Sequence, residues 1–234
     1  MSGEGPASRL PDGSSPLTFP VATRTFVAVD TVVAVSAPMD PEELAAVVQA
    51  VERVFTEDAH QMPGGADLKA RLTARTGRAL MDLALPHWAV NAGGDILCTG
   101  SPSPGQPTGG DPYYGTPWRA GIADSIGGSS LVADVPLAGT PGFTAALATS
   151  ADGRRGAYRQ VSVLSEDIVA AGRAAAVILA GGPAALAAAL REPGLAVLAV
   201  RHGGQVLASN AWPLPARGRE GAGETGDPRR GPEA

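Results

Sequence analysis

"HWAVNAGGDILCTG", residues 87–100, is the stretch on which the reading of this chain turns. A short apolar run ends at Asn91, Gly93 and Gly94 follow, Asp95 stands alone, and an apolar run resumes. "WAVN" and "DILCTG" both read as strands, so the glycines make a tight connection between them. Two glycines in a row also let a main chain turn sharply and present N–H groups to phosphate oxygens. Two readings follow. In one, Asn91 and Asp95 satisfy the backbone of their own hairpin. In the other, the loop Asn91-Ala92-Gly93-Gly94-Asp95 faces a ligand.

Outward from this stretch the chain alternates between helical and strand patterns. Upstream, "ADLKARLTARTGRALMDLA" (66–84) predicts a helix with Leu68, Leu72, Leu80 and Leu83 along one side, weakened at Gly77 by about 1 kcal/mol relative to alanine. Before it, "DPEELAAVVQAVERVFTED" (40–58) opens with Asp40 as N-cap, Pro41 at the first helical position and two glutamates in the first turn. "RTFVAVDTVVAVS" (24–36) predicts a strand or a bent pair. Downstream, after a long loop at 101–117, "WRAGIAD", "SSLVADVPL", "FTAALAT" and "RQVSVLS" predict consecutive short strands. A third helix then runs to Ala180, a short one follows Gly181-Gly182-Pro183, and "LAVLAVRHGGQVLAS" closes as a hairpin. Helices at both ends of a run of strands predict one α+β domain, over 21–212, with a mostly antiparallel sheet flanked by helices.

Composition narrows the class of function. The 234 residues suffice for one domain with a sizeable core. The hydrophobic fraction is 44% but aromatics are only 4%, so small side chains must build that core. The net charge of −5 leaves no basic surplus for binding nucleic acid. Cys98 is the one cysteine, which excludes an internal disulfide and a cysteine-caged zinc and fits a reducing compartment. Residues 1–20 and 213–234, rich in Gly, Pro, Ser and charge, predict disordered tails. No apolar signal core is read in the first, and the most apolar later stretch is broken by Arg173 and Gly181-Gly182-Pro183, so neither a signal peptide nor a membrane span is predicted. The expectation is a cytoplasmic protein.

Four blocks, in order, carry a family resemblance: "VNAGGDI" (90–96), "PWRAGIAD" (117–124), "ALATS" (146–150) and "VSVLSED" (161–167), the last leading into a helix. In order and spacing the chain resembles the FAD:protein FMN transferases, well over about residues 66–207 and more faintly over 24–58. Lys69, the only lysine in the chain, falls where that family has the lysine of its D-L-G-G-x-A-K-G motif, here "PGGADLKA". The resemblance implies that FAD is the substrate, that FMN passes to a Ser or Thr of a target protein through a phosphoester bond, and that AMP leaves. It implies Lys69, Asn91, Ala92, Gly93, Gly94 and Asp95 as the residues facing FAD, and Mg²⁺ on its pyrophosphate.

The chain departs from the family pattern at the chemistry. The family's metal-ligating Asp, and its Thr four residues later, align with Ala171 and Ala175, which have no ligand atom. Glu166, Asp167 and Asp152 stand nearby in sequence and read as capping or solvated residues. The family's H-x-x-D-P-x-T-G block has no counterpart in "ADGRRGAYRQ" (151–160), and His60, His87 and His202 lie elsewhere. A long segment before the lysine motif is reduced to "AHQMPG" (59–64). Tyr113, Tyr114 and Trp118 offer flat rings for stacking, with Trp118 also matching a family core position. No catalytic residue and no metal ligand is assigned. Two functions stay open: a compact flavin transferase, or a non-catalytic relative that keeps the scaffold and binds flavin or an active partner.

Overall fold

The computed structural model describes residues 20–61, 64–65, 67–103, 115–126, 130–151 and 156–213. The predicted tails, apart from their innermost residues, lie outside the described residues, as do Tyr113, Tyr114, Asp152 and the side chain of His60.

The valine-rich opening stretch is a hairpin of β1 (Val21–Ala28) and β2 (Thr31–Pro38), turned at Val29 and Asp30 with positive φ at both. Asp40 then starts α1 (Pro41–Gln61), its Oδ1 accepting the Glu42 N–H at 2.7 Å as the sequence predicts. Next, α2 (Leu68–Asp82) is shorter than its apolar pattern by about a residue or two at each end, as helix ends commonly are. The opening motif follows as β3 (Trp88–Ala92) and β4 (Asp95–Thr99), paired antiparallel across Gly93-Gly94. Then come β5 (Trp118–Ala123), β6 (Leu131–Leu137), β7 (Thr144–Ala151), β8 (Tyr158–Ser165), α3 (Ile168–Ala189), β9 (Ala196–Arg201) and β10 (Val206–Ala208). Asp167 caps α3, accepting from the N–H groups of Val169 and Ala170. The expected break at Gly181-Gly182-Pro183 is a kink within α3, made by Gly182 at φ 63° and ψ −144°.

Eight strands form one sheet in the order β1-β2-β3-β4-β7-β8-β9-β10, and every ladder in it is antiparallel. The two remaining strands pair as a separate ribbon, β5-β6. Alternation along the strands sends Val33, Val35, Val90, Leu97, Ala148, Val161 and Val163 to the face that all three helices cover. The opposite face carries Cys98, Leu147, Leu198 and Val200, and the β5-β6 ribbon closes over it with Trp118, Ala120, Ile122, Val135 and Leu137. The sheet is therefore covered by helices on one side and by the ribbon on the other.

Small residues set how closely the layers approach. At Gly77 of α2 an added methyl would fall 2.5 Å from Leu97 Cδ2, and at Gly172 of α3 one would fall 2.7 Å from the Ala70 methyl. Among the described residues α3 is the one helix long and apolar enough to cross a membrane; here Ile168, Ala171, Ala175 and Ile178 pack it into the core against the sheet.

Candidate functional site

Where α2 and α3 diverge over the ends of β4 and β7, a cavity of about 570 Å³ opens. Its polar end has Lys69, Asp95, Thr149 and Ser150; the rest of the lining is smooth, with Gly172, Ala176, Leu179 and Ala180 of α3 and Gly156 beside Leu179. That volume lies in the range of small-molecule sites, about 300–1,000 Å³. A second, smaller cavity of about 150 Å³, lined by Val29, Thr31, Phe55, Gly65, Leu68, Lys69 and Leu72, reaches Lys69 from its other side.

Lys69 and Asp95 belong together. The first turn of α2 carries Lys69 over the β3-β4 turn, where its Nζ donates to the Gly93 carbonyl at 2.9 Å and stands 3.7 Å from Asp95 Oδ1. Asp95 is the first residue of β4, 4% exposed, and its Oδ1 also accepts the Thr149 N–H at 3.1 Å. Burial pushes the Asp95 carboxyl above its ordinary range, against the opposing pull of Lys69 and of the Thr149 N–H. Lys69 itself keeps a third of its side chain exposed and lines the cavity.

The rest of the Gly-Gly loop is placed differently. Asn91 Oδ1 accepts the Gly94 N–H at 3.0 Å, and the alternation of β3 points Asn91 to the sheet face away from the cavity. Ala92 is fully buried in the helix-side core. Gly93 and Gly94 both have positive φ, as a two-residue hairpin turn demands, and Gly93 offers only its carbonyl to Lys69. None of Asn91, Ala92, Gly93 and Gly94 lines the cavity, so of the expected residues the structure brings Lys69 and Asp95 to it. Thr149 and Ser150, within the "ALATS" block, are polar lining residues that reading the chain did not single out. The usable signal was the block itself; only the sheet order, which sets β7 beside β4, joins it to Asp95.

Other expectations resolve into structural roles. Ala171 and Ala175 are fully buried in the core, and α3 meets the cavity through Gly172 and Ala176 one residue further on, where again there is no side-chain oxygen to offer a metal. Asp167 is engaged as a helix cap. His87 Nδ1 accepts the Ser101 N–H, and Trp118 is buried with its indole N–H on the Thr99 carbonyl. Among the described residues, no group of three or more His, Cys, Asp and Glu side chains is placed to hold a metal ion.

No protein-family model matches the chain, and no curated protein sequence matches it. Solved structures do. The ApbE protein of Thermotoga maritima superposes with a TM-score of 0.57 at 16% identity, over 81% of this chain and 97% of its own. The fold is that of the ApbE flavin transferases. The Pseudomonas stutzeri flavinyl transferase ApbE in its apo form gives a TM-score of 0.57 at 12% identity, over 84% of this chain and 97% of its own. The Vibrio cholerae flavin transferase ApbE gives 0.54 at 11%, over 81% and 97%. At such identities the likeness is one of fold, and it agrees with the α+β antiparallel architecture and with the resemblance carried by the four sequence blocks. The flavin-transferase fold also gives the cavity its setting, between the helix layer and the ends of the central strands.

Proposed function

We propose that this chain binds a flavin nucleotide, FAD foremost, in the cavity between α2, β7 and α3, and that it holds this ligand rather than cleaving it. The observation that carries the reading is the Lys69 ammonium, fixed by Gly93 and Asp95 on a side chain one third exposed, on the wall of a ligand-sized cavity in a flavin-transferase fold. A fixed ammonium suits the pyrophosphate of a dinucleotide, and the hydroxyl-bearing Thr149 and Ser150 add hydrogen-bonding partners beside it. The smooth wall from Gly172 to Ala180 suits a flat ring.

A resident Mg²⁺ fits these residues poorly. Among the described residues the cavity wall has one carboxylate, Asp95, and it is already engaged by Lys69 and the Thr149 N–H. Hard divalent cations take oxygen ligands, and Gly172, Ala176, Leu179 and Ala180 bring no side-chain oxygen to this wall. No transfer step is therefore drawn through a metal. Transfer of FMN to a Ser or Thr of a target protein, with release of AMP, is the activity that the fold alone favours.

One experiment separates the two. Purified full-length protein is titrated with FAD, following flavin fluorescence, and AMP is then measured with Mg²⁺ or with EDTA in the presence of a Ser/Thr acceptor peptide. The expected result is saturable FAD binding with no AMP in either condition. Mg²⁺-dependent AMP together with flavin on the peptide would establish transfer in its place. No FAD binding at all would remove the cavity assignment.

A further inference from the structure

We infer that Asp95 is a specificity-determining residue: as a buried counter-charge to Lys69, it sets how strongly the cavity prefers a phosphate-bearing flavin over a neutral one. The inference rests on the flavin reading above and goes beyond it to the charge of the ligand.

The charge balance at the polar end is simple. Among the described residues lining the cavity, Lys69 is the one cation and Asp95 the one carboxylate, 3.7 Å apart. One Lys69 hydrogen is committed to Gly93 O, and the Asp95 carboxylate draws the same ammonium from below. Other charged groups on the packed elements are paired away from it. Asp67 of the α2 cap draws Arg71 Nε at 3.3 Å and Arg173 of α3 at 3.7 Å, and Arg159 of β8 pairs with Asp124 at 2.7 Å. Neither β3 nor β7 contains a titratable side chain. Among the described residues Asp95 thus has Lys69 as its one charged partner on this wall, and being almost fully buried and tied to the Thr149 N–H it has no solvent to turn to.

A pyrophosphate arriving at Lys69 meets an ammonium that is already neutralised, beside a carboxylate that water does not screen. A neutral flavin meets no such opposition. Replacing the carboxylate by an amide keeps the acceptor for Thr149 N–H, removes the charge and frees Lys69 for the anion. Protonation of Asp95 does the same, and its burial already favours the protonated form. FAD holds its pyrophosphate charge from weakly acidic to weakly alkaline pH, so a pH dependence of its affinity reports the protein.

The test compares FAD with riboflavin, and inorganic pyrophosphate alone, on the full chain and on Asp95→Asn. Asp95→Asn is expected to tighten FAD by about tenfold while riboflavin stays within about twofold, since removing a like charge acts on the anion only. In the unsubstituted protein the FAD-to-riboflavin affinity ratio is expected to rise toward acid pH, and in Asp95→Asn to stay flat; this arm needs no variant to reveal the trend. An unchanged ratio in Asp95→Asn, or a flat ratio in the unsubstituted protein, overturns the inference. If neither flavin binds, the flavin reading falls separately, and pyrophosphate decides: tighter binding to Asp95→Asn upholds the counter-charge, and equal binding removes it.

Discussion

A methyl group added at Gly77 would lie 2.5 Å from Leu97 Cδ2 and 2.9 Å from Trp88 Cη2. In an exposed helix Gly→Ala gains about 1 kcal/mol of helix propensity, whereas forcing a methyl into a packed core costs about 1–3 kcal/mol. Both contacts are with core side chains under the sheet-facing side of α2, so the clash prevails. Gly77→Ala is expected to lower stability by about 1 kcal/mol or more in denaturant titration, the reverse of what propensity alone dictates. His87 gives a second residue-scale expectation. Its Nδ1 accepts from Ser101 N–H, which requires the neutral ring, and burial lowers its pKa below the ordinary 6.5. Between that lower value and 6.5 the unfolded chain binds more protons than the folded one. The stabilisation is therefore complete above 6.5 and is lost as pH falls through the folded value. The melting-temperature advantage over His87→Gln should shrink on acidification; a constant difference would show that His87 does not titrate against the fold.

At the scale of elements, the β1-β2 hairpin carries the clearest conflict between sequence and backbone. Its turn residues Val29 and Asp30 have φ of 51° and 55°. Two-residue hairpins want positive φ at both positions, which aspartate tolerates and a β-branched valine does not. Left-handed backbone costs an ordinary residue about 1–2 kcal/mol, so Val29→Asn should raise stability by about 1 kcal/mol in a chemical melt. A destabilised Val29→Asn would instead mean that the valine's contact beside Phe55 and Leu68, in the small cavity behind Lys69, outweighs the strain. The same scale shows what a sequence reveals most readily. The start of α1 is written in Asp40, Pro41 and two glutamates, and the cap geometry follows it. The pairing of β3 with β4 is written in Gly93-Gly94. By contrast, the detachment of β5-β6 as a ribbon leaves no local trace, because "WRAGIAD" alternates like any sheet strand and only the distant partner strands decide which layer it joins.

Across the whole molecule, the same distinction explains the candidate site. Lys69 was legible as a lone lysine at a motif position, and Asp95 as the acid after a Gly-Gly turn. Thr149 and Ser150 were not, since their place beside Asp95 depends on β7 inserting next to β4 after the ribbon has left the sheet. Asn91 illustrates the converse: side-chain alternation along β3 turns it from the cavity to the outer face, and its short-range bond to Gly94 occupies it there. The outer face has a consequence of its own. Cys98, the chain's one thiol, is fully buried there with Trp118, Val135 and Leu137 of the ribbon, and burial pushes its pKa up to about 12. Only the thiolate reacts with alkylating reagents. The native molecule is thus furnished with an intrinsic clock: each labelling event at Cys98 timestamps a moment when the ribbon has lifted. Comparing that rate with the rate of complete unfolding distinguishes a cover that peels off by itself from one that leaves only when everything else does.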